Sequence, residues 1–301
     1  MSVLIGCSGW SFEDWVGRFY PVALARKKED WLRYYASYFN TVEINSTFYR
    51  FSNGIMLDGW IRKGRSLKDF EYSVKMPRRV THEAMVEMEG DRAGIAASAF
   101  EESCAKPLAQ NDLLGSILIQ LSPHFHHGDE SLIVMEKVLQ AIDTEKYHYA
   151  VEFRHRSWLG DDRTRLDPTT AKLLSSYNVA NVLVDGPSFP KVQDVTADHA
   201  YVRLHGRNYG PWFDEEREED SRVSRYNYLY SEEELIPWKE TIANLEGTVK
   251  DVRVYFNNSE RAKGAKNAFQ LMDMLSIPHR EREVQVHDQA TLGTFLMHKR
   301  K

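Results

Sequence analysis

Eight short β-branched runs, separated by stretches of helical spacing, recur along the chain, and no other feature of the sequence restricts its fold as tightly. The runs are Val3–Ser8, Thr41–Ser46, Glu71–Met76, Ser116–Leu121, Tyr149–Arg154, Asn181–Asp185, Ala200–His205 and Val252–Asn257. Each is brief, largely apolar and closed by a polar or turn residue, which reads as a buried strand. Helical spacing fills the intervals over Asp30–Phe39, Met56–Lys63, Ser131–Ile142, Thr169–Tyr177, Glu232–Leu245 and Ala265–Leu275. Strand then helix, repeated eight times, predicts an α/β fold with a parallel sheet wrapped by helices. Eight such units in 301 residues suit a closed (β/α)8 TIM barrel, whereas an open doubly wound sheet usually stops at about five or six strands.

Residues 1–301 therefore read as one barrel domain. Two connections stand out. Gly186 to His199 contains Pro187 and Pro190, which leaves little room for a full helix but enough chain for a parallel crossover. Gly206 to Ser231 is long, charged and aromatic, and reads as a lid or surface excursion; its acidic run Asp214–Asp220 reads as a solvated face.

Composition narrows the partners. With 39 Lys and Arg against 44 Asp and Glu, the net charge is −5, so no general attraction to nucleic acid or to an acidic membrane is encoded, and any anion site must be local. Two cysteines, Cys7 and Cys104, cannot build a disulfide framework or a Cys-based zinc site, and the opening MSVLIGCSGW lacks the basic head and long apolar run of a secretion signal. The expectation is a reducing cytoplasm. The longest apolar stretch, Leu113 to Leu121, is interrupted by Gly115, Ser116 and Gln120 and falls well short of the roughly 20 residues of a membrane span. Oligomeric state has no signature here.

In barrel enzymes the reacting groups sit at the carboxyl ends of the strands. Those ends are polar in this chain: Glu43 and Asn45, Lys75, Gln120, Glu152 and Arg154, Asp185, Arg203 and His205, Asn257 and Asn258. Side chains alternate along a strand, so Glu43/Asn45, Glu152/Arg154 and Arg203/His205 share one face, opposite Val42/Ile44, Val151/Phe153 and Val202/Leu204. The apolar set must meet the helices, which aims the charged set at the barrel axis. Buried charges must pair, meet water or await a ligand. One reading is an ion network that plugs the barrel. The other is a site, because Lys75, Gln120, His205 and the two Asn bring more donors than the carboxylates can use, and excess donors suit an anion.

On the second reading Lys75, Arg154 and Arg203 clamp a phosphorylated or other anionic substrate, Glu43 or Glu152 is the base, and His82 or His205 moves protons. Asn45, Tyr49, Gln120, Trp158, Asp185, Asn257 and Asn258 complete the expected binding set. Trp10, Trp15, Tyr209 and Trp212 also follow strands, where an aromatic ring either stacks on a sugar or base or simply packs. His124, His126 and His127 cluster in sequence but lack a nearby carboxylate or Cys, so no metal ligands are assigned, while a divalent cofactor stays open. No G-x-S-x-G elbow, P-loop or G-x-G-x-x-G occurs. Hydrolase, lyase and isomerase chemistry remain in play, with a non-catalytic module binding nucleic acid or a small anion as the alternative.

Several longer motifs are recognisable: Ile5-Gly6-Cys7-Ser8-Gly9-Trp10, Thr41-Val42-Glu43-Ile44-Asn45-Ser46-Thr47-Phe48-Tyr49, Ser73-Val74-Lys75-Met76-Pro77, Val151-Glu152-Phe153-Arg154-His155, Val202-Arg203-Leu204-His205-Gly206 and Tyr255-Phe256-Asn257-Asn258. Together they closely resemble the YecE-like family, domain of unknown function 72, over nearly the whole chain. The resemblance implies a TIM-type barrel and no settled activity. A relationship of that family to metal-dependent DNA-repair endonucleases is an analogy of fold, and the strand ends here offer few metal ligands beyond Glu43, Glu152, Asp185 and His205. Ser122-Pro123-His124 stands where the family usually has a double proline, and the region of Asn53 lacks a common proline.

Overall fold

The structure, a computed structural model, describes residues 1–49, 54–209 and 225–281. Eight parallel strands close a barrel in sequence order: β1 (Ser2–Cys7), β2 (Thr41–Ile44), β3 (Glu71–Lys75), β4 (Leu114–Gln120), β5 (Tyr149–Glu152), β6 (Ala180–Asp185), β7 (His199–Leu204) and β8 (Asp251–Phe256). The expected barrel is the observed one, and every predicted strand lies within two residues of its place.

Helices clothe the outside: α1 (Lys28–Ala36), the single turn α2 (Ser46–Tyr49), α3 (Gly54–Gly64), α4 (Gly90–Phe100), the short α5 (Lys106–Ala109), α6 (Asp129–Gln140), α7 (Pro168–Ser176), α8 (Glu232–Asn244) and α9 (Lys263–Met274). Local chemistry sets several ends. Asp167 accepts from Thr169 N at 2.9 Å and Thr170 N at 3.1 Å ahead of Pro168, and Ser231 and Glu234 form a reciprocal capping box on α8. Helix α4 escaped the sequence reading because its Gly, Ala and Ser residues carry little apolar contrast, although Ala93, Ala97 and Phe100 are buried. The Gly186–His199 connection holds no helix, as its prolines require.

The alternation of side chains divides the core in two. Val42, Ile44, Val74, Ile117, Ile119, Val151, Leu183, Val202, Leu204 and Val254 pack outward against the helices. Leu118, Ala150, Ala180, Val182, Val184, Tyr201 and Tyr255 form a separate cluster inside the barrel. Below the mouth the interior is filled: Tyr201 and Tyr255 lie 5.0 Å apart, and the Tyr255 hydroxyl meets Thr41 Oγ1 at 2.5 Å and Ser73 Oγ at 2.8 Å. The barrel is a plugged core, not a channel.

One seam needs a glycine. Strands β1 and β2 share only the Cys7–Val42 pairing, and the Tyr35 hydroxyl bridges them, accepting from Cys7 N at 2.8 Å and donating to Thr41 O at 3.0 Å. A Cβ on Gly6 would stand 2.1 Å from Thr41 O, so only glycine permits this approach. No helix among the described residues is long and apolar enough to cross a membrane.

Candidate functional site

At the carboxyl ends of the strands a cavity of about 1420 Å³ opens. Its polar lining includes Asn45, Lys75, His82, Gln120, Arg154, Arg203 and Asn257, so seven residues expected from the sequence do meet around one hollow. Tyr49 stands on its rim, 74% exposed.

The floor is a stack of charges. Arg203, 1% exposed, donates to Glu43 Oε1 at 2.7 Å and to Glu152 Oε2 at 2.5 Å, bridging β2 and β5 across the barrel. Arg154 pairs with Glu152 from above through Nε. The Tyr201 hydroxyl donates to Glu43 Oε2 at 2.7 Å. Burial pushes both carboxyls up, but for Glu43 the Arg203 charge and the Tyr201 hydroxyl outweigh it, and for Glu152 the Arg154 and Arg203 charges do. Both stay below the ordinary carboxylate range and ionised. Each has zero exposure and neither lines the cavity: they lie under the arginines they hold.

His205 is equally sealed. Asn257 Nδ2 lies 2.9 Å from its Nδ1, and its Nε2 stands 3.3 Å from both Glu152 Oε1 and an Arg154 guanidinium nitrogen. Burial drives its pKa down to about 4, and the ring does not line the cavity.

Above this layer the arrangement changes. Gln120 Oε1 accepts from Lys75 Nζ at 3.0 Å, from Arg154 at 3.1 Å and from Arg203 at 3.1 Å. Three cationic heads thus converge on one uncharged oxygen. Lys75 is 8% exposed and its Nζ lies 4.1 Å over the Phe48 ring. Burial first, then the Arg203 charge, lowers its pKa to about 7. His82 comes from a π-helical turn over Arg79–Ala84, a form common at functional sites. Its Nδ1 meets Thr81 Oγ1 at 2.9 Å and its ring sits edge-on to Phe48 at 4.9 Å. Burial, with the charges of Lys75 and Arg154, brings His82 to about 4 and keeps it neutral at pH 7.

Three expected residues face elsewhere. Asp185 has Val184 and Val182 as its inward neighbours, so alternation turns it outward. There it accepts from Arg207, the Tyr230 hydroxyl and Trp238 Nε1 at 2.7–3.0 Å, tying the returning end of the excursion to β6 and α8. Asn258 donates to Tyr228 O at 2.8 Å and Asn267 Oδ1 at 2.9 Å behind β8. Trp158 is wholly buried, donates to Phe125 O at 2.9 Å and stacks on Phe125; Trp15 is likewise buried. Trp10 does line the cavity. Trp212 and Asp214–Asp220 lie outside the described residues, and Tyr209, although 60% exposed, is not part of the lining.

A divalent ion finds no ready cage at the mouth, because the carboxylates are engaged by guanidinium groups and, among the described residues, no three His, Cys, Asp or Glu ligands converge there. His124 lines the cavity, while His126 stacks on His155 and His127 faces Asp167 at 3.2 Å. The one convergent group among the described residues is His148, Asp198 and His199, at the opposite end of the barrel.

Phe48, Trp60, Arg78 and Ser188 also line the cavity and were not expected. Phe48 sits inside the Asn45–Tyr49 motif, where nothing marks one aromatic over the next. Arg78 opens the helical turn after β3 and Ser188 lies in the connection after β6, both beyond the reach of strand alternation.

A match to the family described as Protein of unknown function DUF72 runs over residues 4–291. The chain is 27% identical over 283 residues to the UPF0759 protein YunF of Bacillus subtilis, covering 92% of this chain and 96% of that one. It resembles a DUF72 family protein of Thermotoga maritima at 33% identity and a TM-score of 0.78, covering 92% of this chain and all of that one. A DUF72 family protein of Enterococcus faecalis, 22% identical with a TM-score of 0.75 over 93% of this chain and 98% of that one, shares the fold.

Proposed function

The chain belongs to the DUF72 family of proteins of unknown function, and from the geometry of its cavity we propose that it is an enzyme acting on a phosphorylated or other small organic anion at the barrel mouth. The convergence of Lys75, Arg154 and Arg203 on Gln120 Oε1 carries this reading. An amide oxygen has only a partial charge, whereas three cationic groups in a sheltered place favour a full anion. Glu43 and Glu152 offset two positive charges from below and leave the face toward the cavity positive. An arriving phosphate or carboxylate replaces Gln120 as the common acceptor.

The cavity is far larger than a phosphate ion, and Trp10, Phe12, Phe48, Tyr49 and Trp60 line it, which suits an organic body attached to the anion. His82, neutral at pH 7 and facing the same space, is the group placed to take or return a proton. Glu43, Glu152 and His205 act by holding the arginines in position. Phosphodiester hydrolysis at a strand end is a second version of the same chemistry, favoured by the exposed ring of Tyr49 as a stacking surface.

Thermal-shift titration with inorganic phosphate, sulfate and phosphosugars tests the binding. We expect stabilisation by phosphate-bearing ligands and loss of at least about 1.5 kcal/mol of binding energy in Arg154→Ala. No shift with any of these ligands in the wild type rejects the reading. Incubation with phosphosugars and with abasic-site or single-stranded oligonucleotides, with manganese and then with chelator, assigns the reaction; binding without turnover of any of them identifies a binding module instead.

A further inference from the structure

We propose that Lys75 is a nucleophilic amine that condenses with the carbonyl carbon of a small aldehyde or ketone bearing a carboxylate or phosphate, forming a Schiff base in the cavity. This rests on the anion-binding reading above and names the substrate class more closely.

The environment of Lys75 separates it from the other lysines of the protein. Lys28, Lys106, Lys137 and Lys250 are partly or largely exposed and each meets a carboxylate. Lys75 is buried at the cavity floor, and among the described residues no carboxylate oxygen lies within 4.0 Å of its Nζ. Its polar contact is the neutral Gln120 Oε1, which two guanidinium groups already share, and the Phe48 ring closes one side. Thr47 pins the base of the residue, donating to Lys75 O at 2.7 Å and accepting from Lys75 N at 3.1 Å. The side chain therefore starts from a fixed backbone and ends facing the cavity.

Such a place is poor for a lysine that serves only as a cation. An arginine keeps its charge there, as Arg203 does, whereas a desolvated ammonium beside two guanidinium groups readily gives up its proton. The pKa near 7 is that effect, and it leaves a large unprotonated fraction at neutral pH. A buried free amine is a nucleophile in search of an electrophile, and two adjacent arginines fix the charge that electrophile must carry.

The step balances without any further reagent. The Nζ lone pair attacks the carbonyl carbon, the C–N bond forms and the C=O π electrons move to oxygen. The resulting carbinolamine then loses that oxygen and the two amine hydrogens as water, leaving C=N; hydrolysis reverses it. His82, lining the same cavity, is the proton relay.

The test is reductive trapping of the full-length protein with glyoxylate and with dihydroxyacetone phosphate at pH 7 under cyanoborohydride, with acetaldehyde as the uncharged control, followed by peptide mass spectrometry. We expect Lys75 to label at least about tenfold faster with the anionic carbonyls than any other lysine, and inorganic phosphate to slow that labelling. Lys75→Arg should lose the label. If that variant does not fold, the wild-type peptide map still decides. Labels spread over surface lysines, with Lys75 unmodified and the phosphate shift intact, overturn the amine and leave the anion site standing. Fast labelling of Lys75 that phosphate neither slows nor accompanies with a thermal shift keeps the amine and removes the anion site.

Discussion

Both ends of the barrel bury an arginine against carboxylates, and the two ends differ in what remains after the pairing. At the amino end Arg253 meets Glu71 in a two-pronged pair at 2.7 and 2.9 Å, with His148 Nδ1 at 3.2 Å from the same guanidinium. One cation meets one anion, and Thr41 donates to the same carboxylate. At the carboxyl end Arg203 and Arg154 consume Glu43 and Glu152, after which Lys75 is left without a carboxylate and all three cations turn to one amide. A buried ion pair by itself says little about function. The excess of one sign, next to open space, is what separates the mouth from the floor.

That contrast predicts unequal damage. Arg203→Met strands Glu43, leaves Glu152 with Arg154 as its one guanidinium partner among the described residues, and should destabilise the protein by about 3–5 kcal/mol in chemical denaturation at pH 7. Arg253→Met strands Glu71 alone, whose side chain is 16% exposed and still receives Thr41, and should cost about 2–3 kcal/mol. A larger loss for Arg253→Met would mean that the amino end holds the barrel together and that the mouth has no special electrostatic tension.

Gln120→Glu sharpens the same comparison. A carboxylate there would supply from within the anion that Lys75, Arg154 and Arg203 lack. The unliganded protein should gain about 1–2 kcal/mol, and its stabilisation by phosphate should disappear. Lower stability together with an undiminished phosphate response would show that the cations are not in excess.

The barrel was legible because its signal is repeated: eight apolar runs with helical intervals leave few alternatives, and alternation alone places Glu43, Glu152 and Arg203 inside. The same alternation already separates Asp185 from them. Strand-end polarity alone points Asp185 at the site, whereas its parity against Val182 and Val184 turns it outward. It also marks Glu71 with Ser73 and Lys75, and Arg253 with Tyr255 and Asn257, so the ion pair at the floor was readable too. What alternation cannot supply is depth. Glu152 and Arg154 share a face, yet one is wholly sealed and the other reaches the cavity, because two residues of rise carry the chain from the packed layer to the opening. Residues beyond the strands such as Arg78 and Ser188 enter through turns whose paths depend on packing, where strand alternation does not reach.

The last effect concerns Lys75, and its size depends on pH. The pKa of Lys75 in the folded protein, about 7, lies below its ordinary 10.5. Below pH 7 the lysine is charged in both states, and the fold bears the whole penalty of enclosing that charge beside Arg203 and Arg154. Between about pH 7 and 10.5 the folded protein has released the proton while the unfolded chain still holds it, so this contribution to stability recovers as pH rises. Lys75→Met removes the penalty and should therefore stabilise the protein at pH 6 and lose that advantage by pH 10, while anion binding weakens throughout. Denaturation curves at the two pH values decide it. A Lys75→Met protein less stable than wild type at pH 6 would make Lys75 a structural cation like Arg253, and the distinction between the two ends of the barrel would lose its strongest member.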